Sequence, residues 1–155
     1  MQIRIEPATI NHLKDIQNLN LQLCEKEHKE FDPTINPKFP IQKEGEDYFK
    51  ERIKNDCALV ALFNGKVVGY LVGAISEAEE YRNVSRIAEA ENMLVLEEFR
   101  SKGIGKQLFQ EFIKWCKSKK IKRVKVVASA LNKHAIEFYR REGFDDYDLV
   151  LEKEI

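Results

Sequence analysis

Residues 89–109 read Glu-Ala-Glu-Asn-Met-Leu-Val-Leu-Glu-Glu-Phe-Arg-Ser-Lys-Gly-Ile-Gly-Lys-Gln-Leu-Phe. The run at 89–96 predicts a strand. The residues that follow predict an amphipathic helix: Ile104, Leu108, Phe112 and Cys116 recur at four-residue steps, and Phe109 and Ile113 widen the stripe. Between the two elements, Gly103 and Gly105 make a sharp turn where backbone can approach a ligand closely. The start of a helix adds unpaired N–H groups and a positive dipole end, so the turn is a ready anion site. A phosphate-bearing cofactor is its natural guest.

Two familiar phosphate loops do not fit. A P-loop needs Gly where Arg100 stands and Ser or Thr where Gln107 stands, and a dinucleotide fingerprint needs a third small residue at Leu108. The spacing Arg/Gln-x-x-Gly-x-Gly/Ala does fit, at Arg100, Gly103 and Gly105. About thirty residues on comes Asn132-x-x-Ala135-x-x-x-Tyr139, followed by Gly143-Phe144. Asn132, Ala135 and Tyr139 share one helix face, and Gly143 suits the left-handed position that ends a helix. The lesser alternative is that Asn132 is merely an N-cap and Tyr139 merely a half-buried aromatic. In both motifs, and in their order, the chain resembles the GCN5-related N-acetyltransferase (GNAT) family.

The resemblance implies acetyl-CoA as co-substrate, with no metal. The backbone amides of Ser101, Lys102, Gly103, Ile104, Gly105 and Lys106, together with Arg100, would hold the pyrophosphate, and a Cβ at 103 or 105 should interfere. The pantetheine arm would lie along Met93, Leu94 and Val95 as an added strand does, with a backbone N–H there polarising the thioester carbonyl. Asn132 would contact the cofactor near the pantetheine, and Tyr139 would protonate the departing thiolate. Glu89 and Glu91, two residues apart, share a face in an unkinked strand and are candidate bases. The same pair could be an exposed acidic face, or a site that only binds a cation. Some N-terminal acetyltransferases of the family place a glutamate after the long helix; Val127 stands in that position here.

The resemblance places the acceptor side on the first helices and their connection, here residues 28–40, a stretch punctuated by Pro33, Pro37 and Pro40. Structureless segments of this length are uncommon in compact domains unless they are functional. His28, Phe31 and Asp32 are the candidate substrate-binding residues, with Glu27 and Glu30 as further wall candidates. A small-molecule amine is the first expectation. Protein N-terminal or lysine acetylation, and a non-catalytic acyl-CoA-binding module, are the alternatives.

With 155 residues the chain is expected to be one domain, 1–155. Lys+Arg and Asp+Glu both number 26, so no net charge favours nucleic acid or membrane as partner. A basic run at 114–125 fits a solvated helix end better than an RNA-facing patch. Cys24, Cys57 and Cys116 have no metal-site spacing, and with no leader or membrane-length apolar stretch the expected location is the cytoplasm. A homodimer is left open.

The remaining pattern completes the fold class. A short strand at 2–6 precedes a helix capped by Thr9 and lined by Leu13, Ile16, Leu19 and Leu23. A second helix at 44–54 has a mixed face of Tyr48, Phe49, Arg52 and Ile53. Strands at 58–63 and 66–75 flank Asn64-Gly65, the signal of a type I′ hairpin, and Gly69 and Gly73 mark a bend or bulge in the second arm. A strand at 123–128, a helix at 132–142 and a last strand at 147–151 follow. The order β-α-α-β-β-β-α-β-α-β predicts an α/β fold with a GNAT-like central mixed sheet flanked by helices, its second half βαβαβ-like.

Overall fold

The computed structural model describes residues 1–155. Strand β1 (Arg4–Pro7) leads through a 3-10 turn into helix α1 (Leu13–Glu30), and a proline-bearing connection leads to α2 (Lys43–Asn55). Strands β2 (Cys57–Phe63), β3 (Lys66–Glu77) and β4 (Arg86–Val95) form a meander. Helix α3 (Ile104–Ser118), strand β5 (Val124–Val126) and helix α4 (Lys133–Arg141) follow. The sheet order is β1-β2-β3-β4-β5, antiparallel except for the parallel β4/β5 pair. The β2–β3 turn has positive φ at both Asn64 and Gly65, as a type I′ hairpin requires.

Helices cover both faces of the sheet. On one face Ile104, Leu108, Phe109, Phe112 and Cys116 of α3 pack on Leu59, Ala61, Leu71, Ala88 and Ala90. On the other, Leu13, Ile16 and Leu19 of α1 and Phe49 of α2 pack on Val60, Tyr70, Val72 and Leu94. The alternation of β2 and β3 divides between these two cores, which is why both strands are apolar along nearly their whole length.

Two expectations are corrected. Strand β5 is three residues long, and no strand forms at 147–151, so the second half is β4-α3-β5 with α4 packed after it. Residues 145–155 make no backbone hydrogen bond to the sheet. Their alternation supplies strand propensity, but a strand also needs an edge to pair with. Here Tyr147 is held by Arg82 and Arg123, with guanidinium-to-ring distances of 4.4 and 5.7 Å, and the residues after it are exposed.

Candidate active site

Strands β4 and β5 pair only through Ala88–Ala90 and Val124–Val126 and then diverge, which opens a slot along the second half of β4. On its other side β4 stays paired with β3 to Val95. Leu96 N–H donates to Val68 O at 2.9 Å, so two-residue alternation turns Leu94 toward β3 as well. Met93 therefore presents its backbone N–H and C=O to the slot, and Val95 its N–H, while the Val95 C=O accepts from Arg100. Of the three residues expected along the cofactor arm, these two offer backbone groups, while the Leu94 side chain is buried in the α1/α2 core.

At the end of the slot the chain turns into α3. Gly103, the N-cap, has φ 78 and ψ 7, and Ser101 also has positive φ. The first intrahelical bond is Gln107 N–H to Gly103 O, which leaves the amides of Ile104, Gly105 and Lys106 without intrahelical partners. No side chain caps this end and no acid lies in the first turn, so its positive dipole end is uncompensated. A Cβ on Gly103 would meet nothing within 4 Å, and one on Gly105 would make ordinary contacts of 3.7 to 3.8 Å with Phe138 and Met93. Gly103 is required by its left-handed backbone. The protein's own packing does not require Gly105, so the bare Cα surface there suits a ligand that approaches the backbone. These features fit a pyrophosphate-bearing cofactor. Arg100 and Lys102 fold back instead: Arg100 Nε donates to Val95 O and Lys102 Nζ to Glu98 O, both at 2.8 Å.

The carboxylates of β4 lie on the α1/α2 side. Val72 faces Asn92 and Gly73 faces Ala90, so Glu91 is the extra residue of a bulge. Glu89 and Glu91 still share a face, and the bulge brings Asn92 onto it. Glu91 is held by Arg52 through both oxygens, with Nη2–Oε2 at 3.1 Å, and accepts from the Tyr48 hydroxyl at 2.9 Å. Asn92 donates to Tyr48 at 3.1 Å and accepts from Tyr70 at 2.7 Å, while Asn20 of α1 donates to Tyr70 at 2.7 Å. Burial, reinforced by the charge of Glu91, raises the Tyr48 phenol. Glu89 is freer. Its nearest cation, Lys125, is 3.9 Å away, and desolvation by burial raises its pKa despite that lysine.

Sequence reading placed Tyr48 and Arg52 on a helix face without a role, and it missed Asn20, Tyr70 and Asn92. The available signal was polar side chains on otherwise apolar faces: Arg52 beside Phe49, and Gln17 and Asn20 among the leucines of α1.

Tyr139 lies against the rings of Phe109, Phe138 and Phe144, with centroids 5.3 to 6.0 Å apart. Burial raises its phenol, and the charge of Glu27 adds to the effect. Asn132 is the N-cap of α4; its Oδ1 accepts from Ala135 N–H at 3.1 Å, which leaves the amide nitrogen to face elsewhere. Gly143, at φ 95, ends the helix as expected. Val127, just beyond β5, is 72% exposed.

The acceptor-side stretch is tied down by its own polar groups. His28 Nδ1 lies 2.8 Å from Ile35 O, and Asp32 accepts from the Thr34 N–H and hydroxyl at 2.9 and 2.6 Å. Phe31 is half-buried at the end of α1. Glu27 has no cation partner; burial, and then the charge of Asp32, raise its carboxyl. The three thiols are free, and burial pushes Cys24 up to about 11, Cys57 to about 12 and Cys116 to about 11, so they stay protonated and poorly nucleophilic near neutral pH. No three His, Cys, Asp or Glu side chains converge as a metal set, and no helix is long and apolar enough to cross a membrane. A cleft of about 370 Å3 between β1, α2 and α3 includes Asp56 and Trp115 but none of the motif residues.

Comparison with known proteins identifies the family and the fold. Residues 20–144 match the Acetyltransferase (GNAT) family. An uncharacterized N-acetyltransferase of Methanocaldococcus jannaschii is 31% identical over 151 residues, which are 94% of this chain and 64% of that protein's length. A mutant of a Bacillus halodurans protein superposes with a TM-score of 0.84 at 20% identity, covering 100% of this chain and 99% of its own. An aminoglycoside N-acetyltransferase in complex with CoA gives 0.78 at 19% identity, over 99% and 95%. A predicted acetyltransferase from Clostridium acetobutylicum with acetyl-CoA gives 0.78 at 20% identity, over 99% and 96%.

Proposed function

This chain belongs to the GNAT acetyltransferase family, and on that premise we propose that it is an acetyl-CoA-dependent N-acetyltransferase. It acts on a primary amine, by direct attack in a ternary complex, with a small-molecule acceptor. The observation that carries this reading is the slot beside β4, which ends at an uncapped helix start with a left-handed glycine. Acetyl-CoA, when bound, supplies an activated acetyl thioester. The amides of residues 101–106 would hold its anionic end, and the backbone edge at Met93, with the Val95 N–H, would orient its arm.

Proton handling falls to two groups. Glu89 accepts the proton of the incoming amine, directly or through water, because it is partly desolvated and is not locked in a bidentate pair. Glu91, occupied by Arg52 and Tyr48, fixes the bulge and so positions Glu89 and Asn92. Tyr139 is held protonated by burial and donates to the leaving sulfur. Glu27, without a counter-ion at the negative end of α1, attracts a cationic acceptor. The CoA-bound aminoglycoside acetyltransferase among the solved neighbours supports a small-molecule amine. Exposed Val127 cannot take a proton, which disfavours the N-terminal acetyltransferase mechanism that places its base there.

The test pairs thermal shift with thiol release. Coenzyme A and acetyl-CoA should stabilise the protein, dinucleotides far less, and amines should release free thiol from acetyl-CoA. Absence of any shift with millimolar coenzyme A in the folded protein would sink the assignment. A shift with no thiol release across amines and peptides would favour the non-catalytic acyl-CoA-binding module.

A further inference from the structure

Between the sheet and the helices α1 and α2, a line of hydrogen-bonded side chains runs through an otherwise apolar layer, and its sense is fixed from one end. Glu91, clasped by Arg52, is a carboxylate and only accepts, so the Tyr48 hydroxyl donates to it at 2.9 Å. The Tyr48 oxygen then accepts from Asn92 Nδ2 at 3.1 Å, which turns Asn92 Oδ1 toward Tyr70. Tyr70 donates to that oxygen at 2.7 Å and accepts from Asn20 Nδ2, also at 2.7 Å. Asn20 Oδ1 is left to accept from the Cys24 thiol at 3.4 Å. One charge thus orients two amides and two hydroxyls that belong to α1, α2, β3 and β4.

The line is most buried at its middle. Tyr70 is inaccessible to solvent and Asn20 is 5% exposed. Burial raises the Tyr70 phenol well above its ordinary value, so it remains a donor near neutral pH. Groups this far from water are costly to leave unpaired, so the links hold or fail together. Asn92 stands where that rigidity matters. It follows Glu91, the extra residue of the β4 bulge, and precedes Met93, whose N–H faces the slot. Side chains alternate along a strand, so moving the extra residue by one position would re-aim Asn92 away from Tyr48 and Tyr70.

We propose that Asn20 and Tyr70 are positioning residues: through Asn92 they hold the β4 bulge in register, and with it the Met93 N–H in the slot. The inference rests on the acetyltransferase reading above, in which that N–H polarises the thioester carbonyl. The effect falls on the transition state more than on binding, because the N–H gains most as charge develops on the carbonyl oxygen. Misplacing it lowers kcat and leaves cofactor affinity near its wild-type value.

Tyr70→Phe keeps the ring and removes the hydroxyl that joins Asn20 to Asn92. It should lower kcat by on the order of 10²-fold, with the KM for acetyl-CoA and the thermal shift with coenzyme A retained. Asn20→Ala should act in the same direction with a smaller loss, because Tyr70 keeps its bond to Asn92. Ile16→Val loosens the same core without touching the line, and should keep its kcat. In hydrogen exchange of the unliganded protein, Tyr70→Phe and Asn20→Ala should speed residues 90–94 more than β2. Wild-type kcat in both network variants, an equal loss in Ile16→Val, or loss of coenzyme A binding in step with kcat would overturn the positioning role. So would unchanged exchange at 90–94. A wild type that releases no thiol from acetyl-CoA with any amine would instead refute the acetyltransferase reading. The exchange result would then stand alone: faster exchange at 90–94 upholds the hold on the bulge, and unchanged exchange overturns it.

Discussion

Glu89 and Glu91 stand two residues apart on β4 and differ in what surrounds them. Glu91 is bound by a guanidinium and a phenol, whereas Glu89 is only loosely paired. Because the folded-state pKa of Glu89 is raised, the folded state binds its proton more tightly than the unfolded chain does. Stability from this group is therefore greatest below its unfolded pKa and falls as pH rises through the folded pKa. Glu89→Gln should leave thermal stability at neutral pH unchanged or slightly raised, yet lose most of kcat and the acidic limb of the pH–rate profile. A stable variant with an unaltered profile would move the base elsewhere. Tyr139→Phe should lower kcat by about 10²–10⁴-fold with coenzyme A affinity retained, since only the proton donor is removed. Arg52→Met should cost on the order of 1–3 kcal/mol in urea unfolding, because Glu91 keeps a half-buried charge without its partner.

At the scale of elements, the β4 bulge does the positioning, and Gly73 makes room for it. A Cβ there would lie 2.5 Å from both Glu89 O and Phe112 Cε2. Gly73→Ala should therefore cost about 1–3 kcal/mol and depress activity as well, by pushing α3 and β4 apart. Retained wild-type stability in a denaturant series would show that the two elements can yield. Much of this layer was legible in the sequence. The hairpin at Asn64-Gly65, the stripe of α3, the turn at Gly103 and the Asn132-to-Tyr139 face all depend on local spacing. The bulge was legible only as a hint at Gly73, because the inserted residue belongs to the facing strand. The network of Asn20, Tyr48, Arg52, Tyr70 and Asn92 was not legible, since pairing of the strands brings together residues up to 72 positions apart. The alternation at 147–151 was visible, but whether a segment finds an edge to pair with is not a local property.

Across the whole molecule, two cores on opposite faces meet at a sheet whose fifth strand is joined by three residue pairs. On the proposed reading, that seam is the part a bound cofactor would stabilise most. Saturating coenzyme A at a hundred times its dissociation constant should add about 2.7 kcal/mol of apparent stability. In hydrogen exchange the protection should concentrate at residues 93–106 and 124–132, and uniform slowing over the chain would argue against a localised slot. The proline-bearing connection between α1 and α2 lies on the other side of the sheet and is fastened differently. Gln17 Nε2 donates to Pro40 O at 2.8 Å, and Gly45 sits so close to Phe39 that a Cβ would come within 2.0 Å of its carbonyl oxygen. The anchors of this connection are buried while Lys29, Glu30, Pro33 and Lys38 are exposed. A lineage could therefore diversify the exposed positions freely without disturbing the hinge points, through mutations that leave the fold's heritable frame intact.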